Sequence, residues 1–275
     1  MTLKTKVMAA ALGVAASAAA AVHGALVDRS PAVVDGPRVT VLAELFTSEG
    51  CSSCPPADAL LRDLATGQPL PGVEVVALSN HVDYWDHLGW RDPFSSPVFS
   101  ERQSAYDAAV FRSDSIYTPQ LVVDGFLQAV GSDAAAVKRL LRQAAREPKG
   151  SVQLSVTTDT DTKLTVSIHA ELPANVRRHG AADLMIAVAE DGLTTRVARG
   201  ENHGRTLAHD GVVRRLTRIA ALGKDQHELA LSASVPLDRA WRRESLRIVG
   251  FVQEKASRRV LAVGSLRITA SPGAH

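Results

Sequence analysis

Apolar and polar positions in the first half of the chain follow two alternating periods. Val39–Phe46 (VTVLAELF) is a short, β-branched apolar run of strand length, and Val73–Ser79 (VEVVALS) is a second. Between them, Ala57–Ala65 carries Leu60, Leu61 and Leu64 at helical spacing. Strand, turn, helix, strand in that order is a βαβ unit, for which parallel pairing and a right-handed crossover are expected. Gln103–Phe111 reads as a short helix, and Tyr117–Val123 as a strand entered through Thr-Pro. Asp124-Gly125 is a turn signal, Phe126–Val130 a returning strand, and Asp133–Arg146 an amphipathic helix capped by Ser132 or Asp133. Pro148–Gly150 marks a change of texture. Beyond it Ser151–Thr157, Lys163–Glu171, Asp183–Glu190, Val212–Leu222, His227–Val235, Leu246–Glu254 and Val260–Ile268 all read as strands, separated by turn signals with no strong helix between them. Strands at that spacing predict an antiparallel β-sandwich.

The N-terminus has a different pattern. Lys4 and Lys6 precede Val7–Val22, an uncharged run of small and apolar residues, with Gly24 and Ala25 following. That is the layout of an export signal, too short for the roughly 20 residues a membrane span needs. Residues 1–25 are therefore expected to be a signal peptide and 26–38 a linker. The mature chain is expected to carry no span and to work in the periplasm or as a secreted protein. Charge is nearly balanced, 31 basic against 29 acidic residues, and aromatics make up 4% of the chain. Neither feature suits a nucleic-acid surface.

The chain's two cysteines fall in a single motif, Cys51-Ser52-Ser53-Cys54, followed by Pro55 and Pro56. The motif sits where a strand ends and a helix begins. Free N–H groups and the positive end of the helix dipole favour thiolate there, which makes the first cysteine nucleophilic. Cys51 is the expected attacking residue and Cys54 the resolving one. Both prolines suit a first helical turn, where no N–H is needed. A structural disulfide and a metal site are the alternatives, although zinc usually takes two further ligands and no second cysteine pair exists. Glu44 lies in a strand expected to be covered on both faces, a few residues before the motif. Burial would raise its pKa and let it take a proton from Cys54; a salt bridge is the other reading. Pro119 opens a strand without an N–H to donate. A cis Thr118-Pro119 bond would leave the Thr118 backbone free to pair with an extended substrate.

The segments ELFTSEGCSSCPPAD (44–58), HVDYWDHLGWRDPFSSP (81–97), YTPQLVVDG (117–125) and GENHGRTLAHDGVVRRL (200–216) carry a resemblance. The chain resembles the thioredoxin-like superfamily and, more closely, a family of exported bacterial proteins described only as a domain of unknown function. The resemblance implies an α/β thioredoxin-like domain over 39–148, ahead of the all-β, β-sandwich-like domain over 149–275. It also implies Cys51 and Cys54 as a redox pair and Pro119 as the superfamily's cis-proline. CSSC departs from the CGPC of thioredoxin proper, so the resemblance does not set the direction of electron flow.

The stretch from His81 to Phe111 is an apparent insertion. His81 and Trp85, with Thr118 and Pro119, are expected to form a substrate-binding wall beside the thiols. Copper held by Cys51, Cys54 and His81 is a second possibility, since imidazole and thiolate suit that metal. The spacing of His81, Asp83, Asp86 and His87 matches no standard ligand set, and no metal or cofactor is expected. Glu201, His203, Arg205, His209, Asp210, Arg214 and Arg215 read as a strand and turn with a solvated or inter-domain charged face; a catalytic role for His203 or His209 is the alternative, which no spacing rule supports. The expected function is thiol–disulfide exchange with a protein or small-molecule thiol. A copper carrier, or a partner-docking protein with a structural disulfide, are the alternatives.

Overall fold

The structure, a computed structural model, describes residues 38–113 and 115–268. The expected export signal and most of the expected linker lie outside them. The first unit is the predicted one. β1 (Val39–Thr47) and β2 (Val73–His81) pair in parallel, from Val39 opposite Val73 to Thr47 opposite His81. Their crossover contains α1 (Pro55–Gly67), which places Pro55 and Pro56 at its first turn. Gln68 ends α1 in the left-handed region (φ 42°), and its side chain bonds to both Ala65 and Val75, tying the helix end to β2.

α2 (Pro97–Tyr106) is capped by Ser96 and runs into a π-type turn at Asp107–Phe111. β3 (Gln120–Val123) runs antiparallel to β1 and pairs with β4 (Leu127–Val130). The turn between β3 and β4 places Asp124 and Gly125 at positive φ (47° and 73°). A Cβ on Gly125 would meet the Arg258 carbonyl oxygen at 1.9 Å, so only glycine fits there. α3 (Ala134–Ala144) starts at Asp133, whose carboxylate accepts the Ala136 N–H at 2.9 Å.

The remaining strands are β5 (Gly150–Thr160), β6 (Lys163–Glu171), β7 (Ala182–Glu190), β8 (Leu193–Arg196), β9 (Thr206–His209), β10 (Val212–Leu222), β11 (Glu228–Pro236), β12 (Leu246–Glu254) and β13 (Val260–Arg267). β8 and β9 form a separate two-stranded ribbon. The sequence pattern foresaw the others to within a few residues and missed this ribbon, whose strands are short and follow no clean alternation.

The fold class differs from the expected one. Instead of an α/β thioredoxin-like domain followed by an all-β sandwich, the described chain is mostly one large mixed sheet with three α-helices packed on it. Its eleven strands run in the order β11-β6-β5-β13-β12-β7-β10-β2-β1-β3-β4. The physical cause is the junction of β10 with β2. Val212 pairs in parallel with Ser79, and the Ser79 N–H donates to the Gly211 carbonyl at 2.7 Å. Gly211 (φ 66°) permits the approach, because a Cβ there would lie 2.8 Å from the Ala77 carbonyl oxygen.

The core is continuous across this junction. Leu42, Phe46, Val76 and Leu78 share one apolar cluster with Ala187, Val213, Val249 and Phe251. On the opposite sheet face, Val41, Ala43 and Leu45 pack with Leu61 and Leu64 of α1 and Val137 and Leu141 of α3. A further cluster, built on Leu164, Ile168, Ile186 and Ile248, holds the distal strands together.

Candidate active site

The end of β1 turns through Ser48–Cys51, where Ser48 Oγ accepts the Gly50 N–H (3.0 Å) and Ser48 O accepts the Cys51 N–H (3.2 Å). Cys54 is the N-cap of α1, and Cys51 and Cys54 form a disulfide with their Cα atoms 5.5 Å apart. Both cysteines are buried, whereas Ser52 and Ser53 between them are exposed. The bond therefore lies just beneath the surface at the positive end of a 13-residue helix.

Beneath it, strand alternation sends Thr47, Ser79 and His81 to the α1 side of the sheet, the same side as Val41, Ala43 and Ala77. They meet Asp58 from α1, Glu49 and Asp92 from loops, and His209 from β9, all buried. His81 Nδ1 lies 2.7 Å from Asp92 Oδ2, which also accepts the Glu49 N–H at 2.8 Å. The His81 and His209 rings meet edge to face, with centroids 4.8 Å apart. His209 Nε2 is 3.3 Å from Glu49 Oε1, and its Nδ1 is 3.8 Å from Asp58 Oδ2. Neither contact is aligned as a hydrogen bond. Thr47 Oγ1, Glu49 Oε1, Asp58 Oδ1, Ser79 Oγ, His81 Nε2 and both His209 ring nitrogens are buried without a hydrogen-bond partner in the protein.

Burial pushes the Asp58 pKa up, against the opposing pull of His209 and His81. At His81 burial opposes charge, yet Asp92, Asp58 and Glu49 together carry its pKa above the ordinary value. Burial would raise the Asp92 pKa, but His81 and the N–H groups of Glu49 and Phe94 hold it low. Among the described residues, no group of three or more His, Cys, Asp or Glu side chains is arranged to hold a metal ion.

The β8–β9 ribbon and the loop between its strands clamp the cysteine turn. The Asn202 amide donates to Glu49 O (2.8 Å) and to Cys51 O (2.9 Å), and its Oδ1 accepts from Arg205 (2.9 Å). Glu201 Oε2 accepts the Ser52 N–H at 2.9 Å, and that bond lowers the Glu201 pKa. Trp90 Nε1 donates to Glu49 Oε2 at 2.8 Å.

The expected site residues divide between the two sheet faces. Trp85, Thr118 and Pro119 do gather near the cysteine turn. Trp85 Nε1 donates to Thr118 Oγ1 at 2.9 Å, the Trp85 Cβ closes against Gly50, and Thr118-Pro119 is cis. His81 belongs to the buried array and cannot line an exposed wall. Glu44 corrects the expectation more sharply. Its chain neighbours Ala43 and Leu45 face α1, so Glu44 faces α2 and takes no proton from Cys54. Arg102 binds its carboxylate at 2.7 and 2.9 Å, Asn80 Nδ2 donates at 3.2 Å, and the Tyr106 hydroxyl donates as well. Burial alone would raise the Glu44 pKa, but Arg102, Tyr106 and Asn80 overcome it and the value is lowered.

Asp58, Glu49, Asn202 and His209 were not among the expected site residues. Asp58 had one available signal, a charged residue beside Ala57 on the buried stripe that continues through Leu61 and Leu64. His209 was expected on a charged surface, but its position depends on where β10 joins the sheet, a contact across more than a hundred residues.

A family model described as "Protein of unknown function (DUF1223)" matches residues 42–253. No curated protein matches the chain. Among solved structures, protein AGR_C_4864 from Agrobacterium tumefaciens is 26% identical, with a TM-score of 0.66 over 87% of this chain and 99% of that one. HBP35 of Porphyromonas gingivalis, at 15% identity, has a TM-score of 0.61 over 87% of this chain and 80% of its own, which shows a shared fold.

Proposed function

We propose, for a chain that belongs to the DUF1223 family, that Cys51 and Cys54 are a redox-active pair performing thiol–disulfide exchange. One observation carries the reading: the only two cysteines are bonded to each other at the first turn of a helix, directly over a buried array of titratable side chains. A disulfide that merely closes a four-residue turn contributes little to a core of this size. It also needs no acid–base groups beneath it.

In the exchange, a substrate thiolate attacks Cys51 and Cys54 leaves, which oxidises a substrate dithiol; the reverse sequence reduces a substrate disulfide. The helix dipole and the free N–H groups of the first turn favour the thiolate at Cys51. Trp85 and the Thr118-Pro119 strand entry flank the turn and are the surfaces a peptide or small thiol would meet. Asn202 and Glu201 hold the turn shut, so substrate entry includes loosening that clamp. The N-terminal pattern motivates placing this work outside the cytoplasm.

The test equilibrates the full chain with glutathione buffers and counts free thiols by mass after alkylation, alongside insulin reduction. The expected result is a two-electron titration of the Cys51–Cys54 pair and catalysed insulin reduction, with activity wholly lost in Cys51→Ser. A folded protein whose thiols exchange at no glutathione ratio overturns the proposal.

A further inference from the structure

We propose that Asp58 holds the proton that Cys54 exchanges as the disulfide opens and closes, and that His209 is the positioning residue that governs Asp58 and links it to solvent. This rests on the exchange reading above. Asp58 follows Cys54 by one helical turn, and its N–H donates to the Cys54 carbonyl at 3.2 Å. Side chains so spaced have Cβ atoms about 5–6 Å apart on one face of the helix. A carboxyl there reaches the Cys54 sulfur directly or through one water. Asp58 Oδ1 makes no hydrogen bond in good geometry, although the Thr47 hydroxyl lies within reach of the carboxylate, so a contact to Cys54 competes only with Thr47.

His209 supplies the other half. It is 2% exposed, sits 3.8 Å from Asp58 Oδ2, and neither ring nitrogen is hydrogen-bonded. A cleft of about 190 Å³ between α1 and β9 is lined by Pro55, Asp58, Ala59, Arg62, Thr206 and His209. It opens from the buried pair to solvent on the flank of α1. The other charged groups around the pair are Glu49 after β1, His81 on β2, Asp92 in the following loop, Arg62 on α1, and Arg205 and Asp210 flanking β9. Burial favours the protonated carboxyl at Asp58, the direction a proton store beside Cys54 requires.

A substrate thiolate attacks the Cys51 sulfur, the Cys51–Cys54 bond breaks, and its electron pair leaves on Cys54, which takes the Asp58 proton. Asp58 regains a proton from the cleft through His209. The second substrate thiol loses its proton to solvent and attacks the mixed disulfide. The substrate leaves as a disulfide, oxidised by two electrons, and Cys51 leaves as a thiolate. Oxidation of a substrate dithiol by this protein is this sequence; substrate reduction runs it backwards.

The experiment follows two signals against pH in the full chain, wild type and the variants D58N, H209Q and D63N. These are the far-ultraviolet absorbance of thiolate in the reduced protein, and the infrared carbonyl band of protonated carboxylic acid in the oxidised protein. Asp63 is an exposed carboxylate on the same helix. In D58N the acid band should vanish and thiolate formation at Cys54 should move down by about one pH unit, because a neighbouring negative charge is gone. In H209Q the acid band should persist to higher pH, because the imidazole that opposes burial is gone. D63N should superimpose on wild type. Unchanged thiolate curves in D58N, or a shift in D63N as large as in D58N, overturn the proposal. Should D58N fail to fold, the H209Q infrared band decides, and an unshifted band overturns it. Coupled titrations in a protein that exchanges no disulfide would sink the exchange reading alone. Exchange with an unmoved D58N curve would sink this one alone.

Discussion

Two buried carboxylate networks lie on opposite faces of the same sheet end, and they are built differently. On the α2 face, every polar atom of the Glu44 carboxylate is taken up by Arg102, Tyr106 and Asn80, and Gln253 of β12 closes the set by donating to the Tyr106 hydroxyl. On the α1 face, Glu49, Asp58, His81 and His209 are as deeply buried, yet each retains an atom without a hydrogen bond. The first network resembles a rivet. Its charges are matched and it joins α2 and β1 to β12, so the two ends of the chain share one core. The second has capacity left over, and it sits under the disulfide. Full satisfaction holds a fold in place, whereas a buried group left unsatisfied, at about 1–3 kcal/mol each, is expected where chemistry needs a free donor or acceptor.

The contrast breaks most visibly at Arg102. Arg102→Met leaves Glu44 buried without its cation and should lower unfolding free energy by about 3–5 kcal/mol in urea titrations. The disulfide should still exchange, because this network lies across the sheet from it. A variant that loses exchange while remaining folded would show that the two faces act as one device.

Asn202→Ala tests the clamp. Two buried carbonyls, Glu49 O and Cys51 O, lose their donor, and the expected loss is about 1–3 kcal/mol. Dithiothreitol should also open the disulfide faster in this variant, read by thiol counting over time. Stability lost with no gain in rate would make Asn202 a purely structural residue.

The smallest effect is the sharpest. Glu44, with its folded pKa lowered from 4.5, contributes stability that is fully present above that value and lost as pH falls through its folded pKa. Asp58, raised from 3.8, contributes stability that is present below that value and lost as pH rises through its folded pKa. Urea midpoints measured against pH should therefore respond with opposite sign. Glu44→Gln should flatten the acid limb, and Asp58→Asn should flatten the decline above pH 3.8. Parallel responses would remove the distinction between the two networks.

Much of this was legible without the structure. The apolar runs at Val39–Phe46 and Val73–Ser79, with leucines at helical spacing between them, determine a βαβ unit locally, because side-chain period and turn residues are properties of neighbouring positions. The same local pattern places the cysteine pair at a helix start. Glu44 shows where such reading stops: a carboxylate in a buried strand must have a partner, but the partner sits 58 residues away on α2, and the strand's pleat rather than its proximity to Cys51 decides which face it serves.

Neighbouring residues alone placed β1, α1, β2, α3 and the longer strands of the second half, because side-chain period and turn chemistry depend on contacts within a few residues; they misplaced the start of α2, missed the β8–β9 ribbon and left the bonding of the two cysteines open. Long-range packing joined the strands into one sheet instead of two domains, set Asn202 and Glu201 against the cysteine turn and buried His209 beneath it. Those outcomes hang on one long-range strand pairing at Ser79 and Val212, made possible by a glycine next to it. Pairing partners at such separation are selected by the whole core's packing, which no local pattern of hydrophobic and polar residues encodes.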